Sequence, residues 1–305
     1  MIVLNAEPSG YSIKAIERWK KKGYVYKEAA WNEILSAGKF EAVDILIVRL
    51  EKKIDKIILD KFPNLNTLIT ATTGLDHIDQ EILKEKNIRL ISLRGQDDFL
   101  RTIPSTAEHT WALLLALIRN IPSANEDVKL GSWERDNFRG NQLKEKTLGI
   151  IGLGRTGKKV AGYATAFDMK IQYFDPHVTD EGFHKCDQLE ELLKSSDIIT
   201  LHVHLNESTE NLIGKHNIDQ LKKGCLLINT SRGKLLDENA VAGALLLKRI
   251  KGIATDVLST ELEDIRLSPL WEAQQKNENI IITPHIGGAT SDAMWACEEF
   301  IMELV

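Results

Sequence analysis

Thr147-Leu-Gly-Ile-Ile-Gly152-Leu-Gly154-Arg155-Thr156-Gly157 joins an apolar run of strand length to a helical continuation, Lys158-Lys-Val-Ala. Glycines at this spacing each do something a larger residue would obstruct. Gly152 permits the tight turn, Gly154 lets a pyrophosphate approach the backbone, and Gly157 lets helix and strand pack closely while free N–H groups face the anion. Arg155 and Thr156 lie within the same turn and complete the candidate cofactor contacts there. The next strand, Ile171-Gln-Tyr-Phe-Asp175, ends in an acid about 18 residues beyond Gly157, near the ~20 at which a carboxylate reaches the adenosine ribose hydroxyls. Asp175 would repel a 2′-phosphate, and Pro176-His177 offers no arginine to receive one. The expected cofactor is therefore NAD rather than NADP.

Outward from this turn, apolar runs of strand length alternate with periodic stretches of helix length, the pattern of parallel sheets covered by helices. The fold class is α/β. Before the turn the expected strands are Ile2 to Asn5, Ile45 to Arg49, Thr67 to Thr70 and Arg89 to Ser92, with helices over Lys52 to Phe62 and Asp79 to Lys86. They make a small doubly wound, flavodoxin-like unit. From the turn onward they are Thr147 to Gly152, Ile171 to Asp175, Asp197 to Val203, Leu226 to Asn229, Gly252 to Val257 and Ile280 to Thr283, enough for two mononucleotide-binding halves of a Rossmann domain. Between the units, Ala107 to Arg119 reads as one long helix stopped at Asn120-Ile-Pro122.

The chain has 305 residues, 43% of them hydrophobic, enough for two buried cores. A net charge of −5 gives no basic excess to recruit nucleic acid or an anionic membrane. Three cysteines without a C-x-x-C spacing form neither a disulfide framework nor a zinc cluster, so a reducing cytoplasm is the expected compartment. No secretory leader is expected, because Met-Ile-Val-Leu meets Asn5 and Glu7 at once. The longest wholly apolar run, Trp111 to Ile118, falls well short of the ~18 residues of a membrane span.

Arg232 follows the apolar strand Cys225 to Asn229, at the carboxyl edge where ligands of such sheets gather. Its guanidinium suits a substrate carboxylate through paired hydrogen bonds, and also the adjacent carbonyl oxygen as charge develops. His285, after Ile281-Ile-Thr-Pro284 and before Ile286-Gly287-Gly288, is the leading acid-base candidate. Among the eight histidines, His77, His109, His184 and His216 lack a catalytic setting and read as structural or solvated. His202 and His204 share a strand face, but no Cys, Asp or Glu pattern completes a metal site beside them, so no metal is expected. Asp256 and Glu261 stand behind the strand Gly252 to Val257, and one of them could steady the imidazole of His285. Spacing alone cannot pair Glu261 with His285 and reads it more readily as an exposed loop glutamate.

The ordered motifs Thr72-Thr-Gly-Leu-Asp-His-Ile-Asp79, Ser105-Thr-Ala-Glu-His-Thr110, Leu148-Gly-Ile-Ile-Gly-Leu-Gly-Arg155, Asn229-Thr-Ser-Arg-Gly233, Ala254-Thr-Asp-Val257 and Thr283-Pro-His-Ile286 resemble the D-isomer-specific 2-hydroxyacid dehydrogenases, in particular their phosphoglycerate-dehydrogenase-like branch. The resemblance runs from Thr72 nearly to the end. It implies Arg232, Glu261 and His285 as the catalytic arginine, glutamate and histidine, with Glu261 tuning His285, and Asp256 as the aspartate that meets the nicotinamide carboxamide. It adds His202, Thr230, Ser231 and Gly287 to the cofactor contacts, and Thr73 and Gly74 as the loop that holds the substrate carboxylate. By the same resemblance residues 1–100 with 287–305 form a substrate domain and 101–286 the NAD domain, with the active site in the cleft between them. It further implies a homodimer through the NAD domain, involving the arm at Gly131-Ser-Trp133. Thr156, His204 and Leu262 depart from an aliphatic residue and two prolines usual in the family, and none removes a catalytic group. Arg101 stands where some lactate-type relatives place a tyrosine, and is expected to bind a second carboxylate or a phosphate of the substrate. The length leaves no room for the appended regulatory domain of some phosphoglycerate dehydrogenases, so feedback through such a domain is not expected.

The expected activity is hydride exchange between NAD(H) and a 2-keto or D-2-hydroxy acid, glycerate-like, glyoxylate-like or phosphoglycerate-like. Two rival readings use the same glycine turn: a nucleotide-sensing, corepressor-like binding protein, and a methyltransferase with another nucleotide. Both leave Arg232, Glu261 and His285 without a common purpose.

Overall fold

A computed structural model describes residues 1–276 and 279–305. The chain divides into two compact units, Met1–Ile103 with Ala289–Val305, and Pro104–Gly288.

In the first unit the strands are β1 (Ile2–Asn5), β2 (Val25–Glu28), β3 (Ile45–Val48), β4 (Thr67–Thr70) and β5 (Arg89–Ser92), with helices α1 (Ile13–Lys21), α2 (Trp31–Ser36), α3 (Lys56–Leu59), α4 (Gln80–Glu85) and α5 (Asp97–Leu100). All pairings are parallel in the order β2-β1-β3-β4-β5, the flavodoxin-like arrangement. Apolar side chains cover both faces, Leu46 and Leu68 with Trp31 and Phe62 on one, Val3 and Ile69 with Trp19 and Ile301 on the other. The last helix belongs to this unit, where Glu298 accepts a hydrogen bond from Ser12 N at 2.7 Å and pairs with Arg49. Burial pushes its carboxyl above the usual range against the pull of Arg49.

In the second unit the helices are α6 (Ser105–Ile118), α7 (Ile121–Lys129), α8 (Arg155–Thr165), α9 (Leu189–Ser195), α10 (Glu238–Leu246) and α11 (Pro269–Gln275), and α12 (Ser291–Ile301) is the returning helix of the first unit. Its strands are β6 (Thr147–Ile151), β7 (Lys170–Phe174), β8 (His184–Lys185), β9 (Ile198–Leu201), β10 (Cys225–Asn229), β11 (Ile250–Thr255) and β12 (Ile280–Ile282), all parallel. The order β12-β11-β10-β9-β6-β7-β8 is the Rossmann order with one further strand at the β12 edge. The fold class is therefore α/β with two doubly wound parallel sheets.

Several local expectations change. The helix expected over Lys52 to Phe62 shrinks to α3, because Ile54 leaves the helix to bridge Ile78 and Asp55 then caps it by accepting from Ile58 N. Pro122 does not stop a helix. The chain breaks earlier, at Asn120 with φ +54°, and Pro122 occupies the first turn of α7, where a missing N–H costs nothing. The strands β2 and β8 escape the apolar pattern because β2 is mostly exposed and β8 has two residues. Among the described residues no helix is long and apolar enough to cross a membrane.

Candidate active site

The register of β10, β11 and β12 sets Asn229 level with Thr255, and Thr255 level with Ile282. The segments that follow these three neighbouring strands carry Arg232, Asp256 with Glu261, and His285. Parallel pairing therefore gathers at one sheet edge residues that are far apart in the sequence.

His285 Nδ1 lies 3.0 Å from Glu261 Oε1, and both side chains are about a quarter exposed. The structure thus resolves the open choice between Asp256 and Glu261 as the partner of the imidazole. His285 has φ +55°, a left-handed backbone uncommon for a residue with a side chain. Its N–H donates to the carbonyls of Asp256 at 2.8 Å and Thr283 at 3.0 Å, which hold that conformation. The Asp256 carboxylate, 1% exposed, continues the grip: Oδ1 accepts from Ile286 N at 2.9 Å and Thr283 Oγ1 at 2.6 Å, and Oδ2 accepts from Gly287 N at 2.7 Å. A Cβ on Gly287 would stand 3.0 Å from Oδ2, so the close approach of the turn favours glycine.

Arg232 is half-buried and its Nη1 donates to the Ser231 carbonyl at 2.7 Å. Asn229 shapes this loop from both sides, Nδ2 donating to the Arg232 carbonyl and Oδ1 accepting from Ser231 N. Ser231 Oγ donates to the Leu201 carbonyl, and Thr230 Oγ1 lies 2.8 Å from Thr110 Oγ1, so both hydroxyls tie the loop to its neighbours. At Gly233 a Cβ would lie 2.1 Å from the Leu258 backbone, so the loops bearing Arg232 and Glu261 are pressed together.

The glycine turn is built from space. Gly152 has φ +90°, and a Cβ there would meet the His202 carbonyl at 2.5 Å; one on Gly157 would meet the Gly152 carbonyl at 2.2 Å. Gly154 faces open space and caps α8 with no side chain of its own. That combination fits a dinucleotide pyrophosphate. Arg155 and Thr156, both half-buried, form the first turn of α8. Asp175 first serves the turn itself: Oδ2 accepts from Leu153 N, and Oδ1 from His177 N and Val178 N, all within 3.0 Å. Its remaining acceptor capacity lies on Oδ2.

His202 Nε2 lies 2.9 Å from Thr200 Oγ1, and burial pushes its pKa down to about 3, so it is neutral near pH 7. His184, Cys186 and Glu191 bring ligand atoms within 4.8 Å of one another. Burial, then the carboxylates of Glu191 and Asp187, push the Cys186 thiol up to about 11, and its side chain packs in the apolar core.

In the first unit, Thr72 Oγ1 donates to the Gly74 carbonyl at 3.0 Å and lies 2.9 Å from Thr70 Oγ1, which shapes the loop carrying Thr73 and Gly74. Arg101 caps the end of α5, exposed and paired with the still more exposed Asp98 at 3.1 Å.

Two supporting residues escaped the sequence reading. Glu238, 5% exposed, accepts from Ser259 N at 2.6 Å and from Ser268 Oγ, and so anchors the loop that presents Glu261. An acid after Asp237 at a helix start reads only as a complement to the helix dipole. His109, set aside as structural or solvated, reaches Asp256 Oδ1 at 3.1 Å. Its place beside Glu108 in the first turns of an apolar helix was the available signal.

A family model described as "D-isomer specific 2-hydroxyacid dehydrogenase, NAD binding domain" matches residues 111–287. The chain is 37% identical over 272 residues to the D-3-phosphoglycerate dehydrogenase of Methanocaldococcus jannaschii, covering 88% of this chain and 50% of that one. It thus spans about half the length of that relative. It is also 37% identical over 256 residues to the hydroxypyruvate reductase of Thermotoga maritima, covering 82% of this chain and 80% of that one. Among solved structures, the D-lactate dehydrogenase of Aquifex aeolicus complexed with NAD and lactic acid aligns over 100% of this chain and 94% of its own, with a TM-score of 0.81 at 28% identity. This protein belongs to the D-isomer specific 2-hydroxyacid dehydrogenase family and carries that family's NAD binding domain.

Proposed function

We propose that the protein interconverts a D-2-hydroxy acid and its 2-keto acid with NAD(H), using Arg232, Glu261 and His285 as its catalytic residues. The observation that carries this reading is the 3.0 Å contact between His285 Nδ1 and Glu261 Oε1 on the sheet edge that also bears Arg232. Bound NADH would supply the hydride to the keto carbon. With Nδ1–H donating to Glu261, the second ring nitrogen of His285 is the atom that delivers a proton to the nascent alkoxide, and takes it back in the oxidation. The negative charge of Glu261 steadies the ring while it carries that proton. Arg232 holds the substrate carboxylate and stabilises the oxygen on which charge develops.

Gly152, Gly154 and Gly157 with Arg155 and Thr156 would hold the pyrophosphate, Asp175 the adenosine ribose, and His202, Thr230, Ser231, Asp256 and Gly287 the remaining cofactor contacts. Thr73 and Gly74 would offer their backbone to the substrate carboxylate, and Arg101 a second cation for a dianionic acid. The relatives' names, phosphoglycerate and hydroxypyruvate among them, support small 2-keto acids as the substrate class. The exposed Leu130 and Trp133 support the arm as a homodimer contact, and three cysteines without a C-x-x-C spacing support a reducing, cytoplasmic setting.

The test is NADH consumption with glyoxylate, hydroxypyruvate, phosphohydroxypyruvate and branched 2-keto acids. Turnover with one of them, and formation of its D-hydroxy product, supports the reading; NADH binding without turnover on the panel refutes it. Arg101→Met should weaken a dianionic acid more than a monoanionic one, and equal loss on both would remove Arg101 from the site.

A further inference from the structure

We infer that His109 is a positioning residue of this site: it holds the Asp256 carboxylate and, through it, the turn that carries His285, an inference that rests on the reaction proposed above. His109 lies in α6, remote in sequence from β11 and β12. Its Nε2 lies 3.1 Å from Asp256 Oδ1 and 3.1 Å from Thr283 Oγ1, and the latter two atoms are 2.6 Å apart. These three polar atoms close a triangle.

The proton count fixes what each member does. A carboxylate only accepts, so the single proton of Thr283 is directed to Asp256. The Thr283 oxygen and Asp256 Oδ1 then both present lone pairs to Nε2, which must carry a hydrogen. With the amide of Ile286, Oδ1 has three donors and is saturated, whereas Oδ2 has one from Gly287 and retains capacity for a further donor. The ring thus fixes which carboxylate oxygen faces inward and which stays available to a bound nicotinamide carboxamide.

Removing the imidazole leaves Oδ1 with the donors from Thr283 and Ile286 alone and takes away the one that reaches it from α6, at a carboxylate that is 1% exposed. The group can then turn about its Cβ–Cγ bond, and Ile286 and Gly287 lose their fixed acceptor, with His285 held at φ +55° next to them. Bulk alone offers a competing role, since His109 Cδ2 would lie 3.6 Å from a Cβ at Gly287. Glutamine and leucine separate the two roles: the first carries an N–H near the place of Nε2, and the second keeps only volume.

The experiment compares the full-length protein with His109→Leu and His109→Gln, by fluorescence titration with NADH and with ADP-ribose, and by kcat and KM on the best keto acid. His109→Leu should weaken NADH about tenfold or more and lower kcat at least as much, the scale of a lost hydrogen bond to a charged group. ADP-ribose binding should be unchanged, because that probe lacks the nicotinamide, and His109→Gln should recover to within about threefold of wild type. Wild-type behaviour of His109→Leu, equal impairment of both variants, or loss of ADP-ribose together with NADH would each overturn the inference. Wild type that binds NADH yet reduces no keto acid would refute the proposed reaction instead, and the two titrations would still read the role of His109.

Discussion

The glycine turn after β6 and the histidine turn after β12 both stand at carboxyl ends of strands in one parallel sheet, yet they are made in opposite ways. The first is defined by absent side chains: Gly152 and Gly157 are closed in by backbone carbonyls, and Gly154 opens onto space. The second is defined by a buried charge, the Asp256 carboxylate, which takes donors from Thr283, Ile286, Gly287 and His109. Size therefore governs one turn and charge the other. A turn without side chains lets an anion approach the backbone, while a turn locked by a carboxylate can hold an imidazole in an unfavourable backbone conformation.

Isosteric change should separate them most strongly. Asp256→Asn keeps the shape but puts an N–H2 group where donors converge, and kcat should fall by about a hundredfold or more, with a lowered unfolding temperature. Near-normal kinetics would break the contrast on the histidine side. Gly154→Ala adds only a methyl to open space, so the unfolding temperature should hold while NADH affinity drops by at least about tenfold; unchanged affinity would break the contrast on the glycine side. Glu261→Gln should lower kcat by about tenfold or more with little change in folding, because the ring keeps a neighbour of the same shape and loses its counter-charge.

The smallest effect belongs between the two turns, at His202, whose carbonyl closes on Gly152. Its pKa is about 3 in the folded chain against 6.5 ordinarily, so the unfolded chain binds more protons between these values. This contribution to stability is whole above pH ~6.5 and declines as the pH falls toward 3, by at most about 1.4 kcal/mol per pH unit. Denaturation midpoints of His202→Gln should show a shallower acid decline than wild type, and parallel curves would contradict the assignment.

The same division explains what could be read from the residues. Gly152, Gly154, Gly157 and Asp175 form a local pattern, so spacing was enough to place them in one strand-turn-helix unit. Parallel strands buried on both faces were legible as apolar runs, whereas the exposed β2 and the two-residue β8 had no such run. Glu261 was ambiguous as a loop carboxylate until pairing of β11 with β12 set it beside His285. His109 and Glu238 stayed hidden for a physical reason: each acts by burial against a partner brought near only by the folded sheet. Pro122 misled because a proline stops one helix and starts another equally well.

Arg232 and the His285–Glu261 pair are proposed above to perform reduction of a 2-keto acid. This role is tested most directly by following NADH oxidation across the keto-acid panel with wild type and Arg232→Ala side by side. Wild type should turn over at least one acid, and the variant should lose about a thousandfold in kcat/KM while retaining NADH binding. Equal rates for the two proteins, or no turnover by a wild type that binds NADH, would contradict that role.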